Sequence, residues 1–96
     1  MNKYETIIII NPDIEEEGIK KLIQKFSDLI NEHGKVESVE EMGKKRLAYL
    51  IKKQKEGFYV LINFEAEPSF IAELERVYGI TDEILKFIVV KKENWV

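Results

Sequence analysis

Four consecutive isoleucines, Ile7–Ile10, constrain the fold of this chain more than any other feature. β-Branched residues favour strands, and because side chains alternate across a strand, this one is apolar on both of its faces. A chain of 96 residues is expected to form one domain, residues 1–96, with a single modest core. Such a chain has enough helix to cover only one face of a sheet, so the other face should have no cover from this chain.

The rest of the sequence predicts the element order strand, helix, strand, strand, helix, strand. The first strand is expected over Tyr4–Ile10. Apolar residues at spacings of three and four predict a first helix, with Asp13 and Glu16 as a capping box and Gly34 as its C′ residue. The remaining predicted elements are a strand over Lys35–Lys53 with a bulge at Gly43, a turn at Lys55–Gly57, a strand over Phe58–Ala66, a helix from Pro68 to Gly79, a strand over Leu85–Val90 and a tail, Lys91–Val96.

This order, with right-handed crossovers, predicts an α+β fold: a ferredoxin-like split βαβ sandwich, with a four-stranded antiparallel sheet and two helices on one face. The sheet residues expected under the helices are Ile8, Ile10, Val60, Ile62, Phe64, Phe87 and Val89, and the helix residues expected to be buried against them are Phe26, Leu29, Ile30 and Leu74. The open face then presents Ile7, Ile9, Tyr59, Leu61, Ile88 and Val90. A contiguous exposed apolar patch usually marks a partner site, so these six residues are the predicted protein interface. The alternative is that Lys86 and other long side chains lie across the patch.

The charge distribution separates the middle of the chain from its ends. The net charge is −3, yet residues 35–62 carry seven Lys or Arg against four Glu. Lys and Arg neutralise phosphates, and Arg and Tyr also stack on bases, so a basic run followed by Leu47-Ala48-Tyr49 favours contact with nucleic acid. The alternative for each cation is a solvated side chain without a partner. The predicted RNA-binding residues are Lys3, Tyr4, Lys44, Lys45, Arg46, Tyr49, Lys52, Lys86, Lys91 and Lys92.

Signals of catalysis or of a cofactor are absent from the sequence. The chain has no cysteine, which excludes thiolate metal sites and cysteine nucleophiles. Its one histidine, His33, has no second ligand at metal-binding spacing, and neither a P-loop nor a dinucleotide fingerprint occurs. No apolar run approaches the roughly 20 residues of a membrane span, and the N-terminus lacks the features of a signal peptide. We therefore expect a non-enzymatic cytoplasmic protein without a metal, cofactor, small-molecule substrate or membrane partner.

Several short motifs together resemble one family. They are Tyr4-Glu5, Asn11-Pro12, Gly43-Lys44-Lys45-Arg46-Leu47-Ala48-Tyr49 and Gly57-Phe58-Tyr59. At this spacing the chain is similar along its whole length to the bacterial small-subunit ribosomal protein six family. The resemblance implies a non-catalytic protein of the small ribosomal subunit that binds the central domain of 16S ribosomal RNA together with small-subunit ribosomal protein eighteen, as a heterodimer. Acidic residues near the apolar face, such as Glu5 and Glu41, would attract a basic partner of this kind.

Three other functions stay open at the level of the sequence. An RNA-recognition-motif module shares the element order, but here the third strand lacks the small residue expected between its aromatics, and the first strand presents Ile7 and Ile9 where an aromatic is expected. An acylphosphatase-like enzyme would need a glycine-rich basic loop for phosphate where Asn11-Pro12-Asp13 stands. A ligand-sensing regulatory module is the third alternative.

Overall fold

The chain folds into the predicted order of strands and helices. A computed structural model describes residues 1–92, so the last four residues of the predicted tail, 93–96, lie outside the described residues. The strands form one sheet in the order β2-β3-β1-β4, and every neighbouring pair is antiparallel. This topology confirms the predicted α+β, ferredoxin-like split βαβ fold. The elements are β1 (Asn2–Ile10), α1 (Glu16–His33), β2 (Gly34–Ile51), β3 (Gln54–Ala66), α2 (Pro68–Gly79) and β4 (Ile84–Lys91).

Both helices pack on the same face of the sheet, as predicted, and most of the expected core is buried there. The expected residues that are fully buried are Ile8, Ile10, Phe26, Ile30, Val60, Ile62, Phe64 and Leu74. Leu29, Phe87 and Val89 are only partly buried against this cluster, the last two because β4 is an edge strand. Phe70 on α2 is a core residue that the sequence analysis missed, and it stacks on His33 with the ring centroids 4.6 Å apart.

The N-terminus of α1 differs from the predicted capping box. Glu15 is the N-cap, and it forms no side-chain capping bond. Asp13 lies two residues before the N-cap, in the turn after β1, where its N–H donates to Asn11 Oδ1 (2.9 Å) and its carboxylate accepts a bond from Gln54 Nε2 (3.2 Å). Glu16 begins the helix, where its negative charge suits the helix dipole.

Two glycines permit close packing and do not have the roles predicted for them. Gly34 is not a left-handed C′ residue: its φ is −175°, and β2 begins there. A Cβ at Gly34 would collide with the carbonyl oxygen of Glu65, and a Cβ at Gly57 would collide with Ile9 Cγ2. Gly57 lies within β3 and makes no turn. Gly43 confirms its prediction, since its φ is +88° and the register of β2 against β3 shifts beside it.

The turn between β2 and β3 lies at Lys52 and Lys53, so the turn predicted at Lys55–Gly57 is wrong. Both lysines have positive φ, 49° and 67°, and Ile51 pairs with Gln54 across them. Positive φ at both central residues is required by a type I′ hairpin, whose twist matches that of the strands. As a result β3 begins at Gln54 and is longer than predicted.

Candidate nucleic-acid interface and open sheet face

The sheet face opposite the helices carries the six residues predicted to form a protein interface. Ile7 lies between Leu61 on β3 and Ile88 on β4 in the strand register. Ile88 is 51% exposed and Val90 is 49% exposed, so the patch is accessible on its β4 side. Apolar side chains are therefore contiguous across three strands. They border a shallow depression of about 240 Å³ that is lined by Ile7, Ile9, Tyr59, Lys86, Phe87 and Ile88.

One of the six residues, Ile9, has little surface on this face. It is only 8% exposed, because its Cγ2 occupies the space that a side chain at Gly57 would fill. Its neighbour on β4 is Lys86, which extends across this end of the face. The part of the predicted interface that stays accessible is Ile7, Tyr59, Leu61, Ile88 and Val90. We refer to these five residues as the apolar patch.

Two ion pairs border the apolar patch toward the start of β1. Lys3 Nζ lies 3.8 Å from Glu37 Oε2, and Lys92 Nζ lies 3.8 Å from Glu5 Oε2. The side chains are substantially exposed, so these pairs contribute little to stability. Lys3 and Lys92 were predicted to contact RNA, and a phosphate at either position would compete with these carboxylates.

On β2 the acidic residue of the open face is Glu40. Glu41 was expected near the apolar face, and that expectation is wrong. Glu40 pairs with Leu61 and so shares its face. Glu41 pairs with Val60, whose side chain is buried in the core, and therefore points to the helix side. Glu5 lies on the open face as expected, beside Ile7 in the alternation of β1.

The basic run of the sequence lies on an edge strand and divides between its two sides. Lys45 pairs with Gly57 and lies on the open face, where its Nζ is 5.9 Å from the ring centroid of Tyr59. Lys44 and Arg46 alternate to the opposite side. All three are exposed, and within residues 1–92 none of them forms an ion pair. Their charges are therefore available to a phosphate.

Beyond Arg46 the two strands of the hairpin separate. Arg46 pairs with Glu56, and the next pair is Ile51 with Gln54. Between these two pairs β2 has four residues, Leu47–Leu50, whereas β3 has only one, Lys55. We call this segment the Leu47–Leu50 arch. It contains the Leu-Ala-Tyr motif, and its backbone has no regular pairing with β3. The position of the arch must therefore depend on side-chain contacts.

Tyr49, Lys52 and Lys86 were each predicted to bind RNA, and each also makes a contact within the protein. Lys86 Nζ donates a hydrogen bond to the Tyr49 hydroxyl (3.0 Å), and this bond raises the pKa of Lys86. Lys52 Nζ donates to the carbonyl oxygen of Ile84 (3.2 Å), the first residue of β4. These contacts connect the end of the β2–β3 hairpin to β4, on the far side of β1.

Tyr4, one of the predicted RNA-binding residues, lies on the helix side of the sheet and not on its surface. Its ring is 6% exposed, belongs to the core and stacks on Phe64 with the centroids 5.5 Å apart. Tyr4 shares the parity of Ile8, so the alternation of β1 already assigned it to the helix side. Because the ring is buried in the core, no base can stack on it. Its partner on β4, Lys91, is exposed on the helix side of the sheet.

A family model described as Ribosomal protein S6 matches residues 3–91. The chain belongs to the ribosomal protein S6 family. Small ribosomal subunit protein bS6 of Clostridium perfringens (strain 13 / Type A) is 51% identical to it over 95 residues, which cover 98% of this chain and 100% of that relative. Small ribosomal subunit protein bS6 of Caldanaerobacter subterraneus subsp. tengcongensis is 44% identical over the same coverage.

A solved structure of an S6 protein agrees with this assignment to the S6 family. The crystal structure of 30S ribosomal protein S6 from Thermotoga maritima matches with a TM-score of 0.90 at 35% identity, over 95% of this chain and 87% of that chain. An Arabidopsis thaliana protein matches with a TM-score of 0.57 at 12% identity, over 100% of this chain and 97% of that chain, and shows the fold alone. The resemblance found in the sequence is thus confirmed, and with it a place in the small ribosomal subunit, a cytoplasmic particle in bacteria.

The S6 family is a family of ribosomal proteins and not of enzymes, so membership in it disfavours the three alternative functions considered from the sequence. The RNA-recognition-motif, acylphosphatase-like and ligand-sensing interpretations would each require a different family. Residues 1–92 contain no group of three or more His, Cys, Asp or Glu that could hold a metal ion. In the same part of the chain, no helix has the length and apolar character needed to cross a membrane.

Proposed function

We propose that this chain binds the central domain of 16S ribosomal RNA together with small-subunit ribosomal protein eighteen, with which it forms a heterodimer. The observation that carries the proposal is the position of Lys45. This residue belongs to the unpaired basic run, yet its side chain lies on the open face beside Tyr59 of the apolar patch. The cationic edge and the apolar patch therefore meet along β2 and β3. A protein on the patch and RNA along the edge would be direct neighbours.

The RNA-binding part of this surface is the basic β2–β3 hairpin. The run Lys44–Arg46 is followed in the same hairpin by Lys53 and Lys55, which are also exposed and were not among the predicted RNA-binding residues. A protein of net charge −3 can still attract phosphate here, because charges farther away than roughly 8–10 Å are largely screened at physiological salt. The free cations thus favour a local contact with the RNA backbone over a general nucleic-acid coat.

The protein-binding part is the apolar patch with its acidic neighbours. A standard interface buries about 800 Å² on each partner and has aromatic residues near its centre. Tyr59 and Leu61 lie in the middle of the sheet and suit that central position. Glu5 and Glu40 lie on the same face and would attract a basic partner, which in turn would bring additional positive charge to the RNA.

The double variant Lys45→Ala/Arg46→Ala tests the RNA contact. We expect weaker binding of the heterodimer to a central-domain RNA fragment, and a salt dependence that falls by up to about two counterions, since two phosphate contacts are removed. The measurement is the affinity at a series of KCl concentrations. Lys20→Ala/Lys21→Ala on α1 is the matched control, because it removes the same charge from the helix side. Equal salt slopes for both variants and the unmodified protein would place the RNA contact elsewhere.

A further inference from the structure

Tyr49 is the most exposed aromatic residue on the basic hairpin, and within residues 1–92 its side chain forms a single hydrogen bond. The residue is 63% exposed. Lys86 Nζ lies 3.0 Å from the Tyr49 hydroxyl oxygen and 5.6 Å from the ring centroid. These two distances place the ammonium group beyond the hydroxyl, close to the long axis of the ring, and not above the ring. The contact with Lys86 is therefore a hydrogen bond that leaves the faces of the ring uncovered.

The surroundings of the ring suit a nucleotide. A depression of about 380 Å³ beside it is lined by the arch residues together with Arg46 and Lys55. An aromatic face with cations around it is the combination that binds unpaired nucleotides, because the ring stacks on the base and the cations contact the phosphates. Leu50, which is 60% exposed, adds apolar surface next to the ring.

We infer that Tyr49 stacks on one unpaired base of the RNA, and that Lys86 is a positioning residue that fixes the Tyr49 ring for this contact. The inference rests on the proposed RNA-binding function and adds the class of nucleotide and the residue that receives it. It also changes the role of Lys86 from a phosphate ligand to a group that acts through Tyr49.

The need for a positioning residue follows from the arch. Residues 47–50 have no regular pairing with β3, so the backbone alone does not fix the direction of the Tyr49 side chain. The Lys86 side chain comes from β4, the opposite edge of the sheet, and restrains the ring from outside the hairpin. A ring that is already ordered before binding loses less conformational entropy when a base stacks on it.

Binding of the heterodimer to a central-domain RNA fragment, measured at several salt concentrations, tests the stacking role. Tyr49→Leu removes the ring, and we expect an affinity loss of about ten- to hundredfold with an unchanged salt slope, because stacking involves no counterion release. The Lys45→Ala/Arg46→Ala variant is measured alongside. If Tyr49→Leu binds normally while that double variant is impaired, the stacking role is overturned but the RNA site is not. If neither is impaired, both proposals are overturned.

Three variants test the positioning role of Lys86. Lys86→Met should weaken RNA binding by about three- to tenfold in the unmodified protein and have no effect in the Tyr49→Leu background. Tyr49→Phe, which keeps the ring but loses the hydroxyl, should behave like Lys86→Met, and Lys86→Arg should restore binding. An additive effect of Lys86→Met in the Tyr49→Leu background, with a salt slope lower by about one, would identify Lys86 as a phosphate ligand and overturn the positioning role.

A measurement on the free protein separates this role from RNA binding. Amide hydrogen exchange at residues 47–50 should become about threefold faster in Lys86→Met and in Tyr49→Phe, since both lose the contact between the arch and β4. The Lys91→Met variant, which removes a lysine from the same strand without such a contact, should leave exchange unchanged. Exchange that is identical in all variants would overturn the positioning role whatever the RNA results.

Discussion

At the scale of single residues, Tyr78 shows how the core accommodates a polar group. It is the largest of the fully buried side chains and meets Phe26 edge to face with the centroids 4.8 Å apart. Its hydroxyl shares a hydrogen bond with Thr6 Oγ1 (3.3 Å), and Thr6 Oγ1 also donates to the carbonyl oxygen of Ile88 (2.9 Å). Burial raises the pKa of Tyr78 to about 12, against the smaller opposing effect of the bond to Thr6. The neutral phenol is therefore the form that the folded protein stabilises.

This burial predicts a loss of stability in alkali. The pKa of an unfolded tyrosine is about 10, so between pH 10 and 12 the unfolded chain releases a proton that the folded chain retains. The free energy of unfolding should therefore be unaffected below about pH 10 and fall by about 2 kcal/mol by about pH 11.5. Urea unfolding of the protein and of Tyr78→Phe at pH 9 and 11.5 measures this. Lysines also titrate in this pH range, but they do so in both proteins, so the difference between the two reports Tyr78. An equal loss of unfolding free energy in the two proteins would contradict the prediction.

At the scale of elements, the β2–β3 hairpin combines a tight turn with an irregular arch. Lys52 and Lys53 both adopt positive φ, which residues other than Gly, Asn and Asp rarely do. The turn is nevertheless placed here, because pairing of Ile51 with Gln54 closes the hairpin and Lys52 Nζ reaches the carbonyl oxygen of Ile84. The element is thus built by pairing and tertiary contacts against the local preference of its turn residues.

Glycine at the second turn position should relieve this conflict. We expect Lys53→Gly to raise the free energy of unfolding by about 0.5–1 kcal/mol, because glycine adopts positive φ without a steric penalty. Lys55→Gly is the matched control: it removes the same charge from the same hairpin at a strand position where φ is not positive, and it should destabilise by a similar amount. Urea denaturation midpoints of both variants provide the comparison. Destabilisation by Lys53→Gly would show that the turn is not strained.

At the scale of the whole molecule, the sheet has two faces with different tasks. One face forms the core with α1 and α2, whereas the other carries the apolar patch, which packs on no helix of the described chain. An exposed apolar patch usually marks an interaction site, and a protein of a ribosomal family assembles with other components, which explains such a surface. The basic hairpin adjoins the patch at Lys45, so assembly with protein and with RNA can be coupled through neighbouring contacts.

A charge placed in the centre of the patch should weaken assembly without preventing folding. Leu61→Asp is expected to weaken the proposed heterodimer with small-subunit ribosomal protein eighteen by at least about 1–2 kcal/mol, because the interface would bury an unpaired carboxylate. Ile80→Asp is the matched control, since Ile80 is 66% exposed and follows α2, away from the open face. Calorimetric titration gives the affinities, and melting curves confirm folding. Equal affinities for the two variants would exclude Leu61 from the interface.

The element order and the two-sided sheet could be predicted because they depend on local patterns. Alternation in Ile7–Ile10 assigned each isoleucine to a face, and the bulge at Gly43 follows from a residue that tolerates positive φ. The same alternation should have placed Tyr4 in the core, where the structure has it. A base-stacking role for Tyr4 therefore conflicts with its parity in β1, which was already visible in the sequence.

Other features depend on contacts between residues far apart in the sequence, and only the tertiary structure decided them. Gly34 and Gly57 are needed because another strand or side chain comes too close for a Cβ, which no local pattern reveals. Strand pairing, and not turn propensity, placed the hairpin turn at two lysines. The sequence shows only that a lysine carries a positive charge. Whether its ammonium group contacts solvent, a phosphate or a phenol depends on which residues the fold places beside it, and for Lys86 that residue is Tyr49.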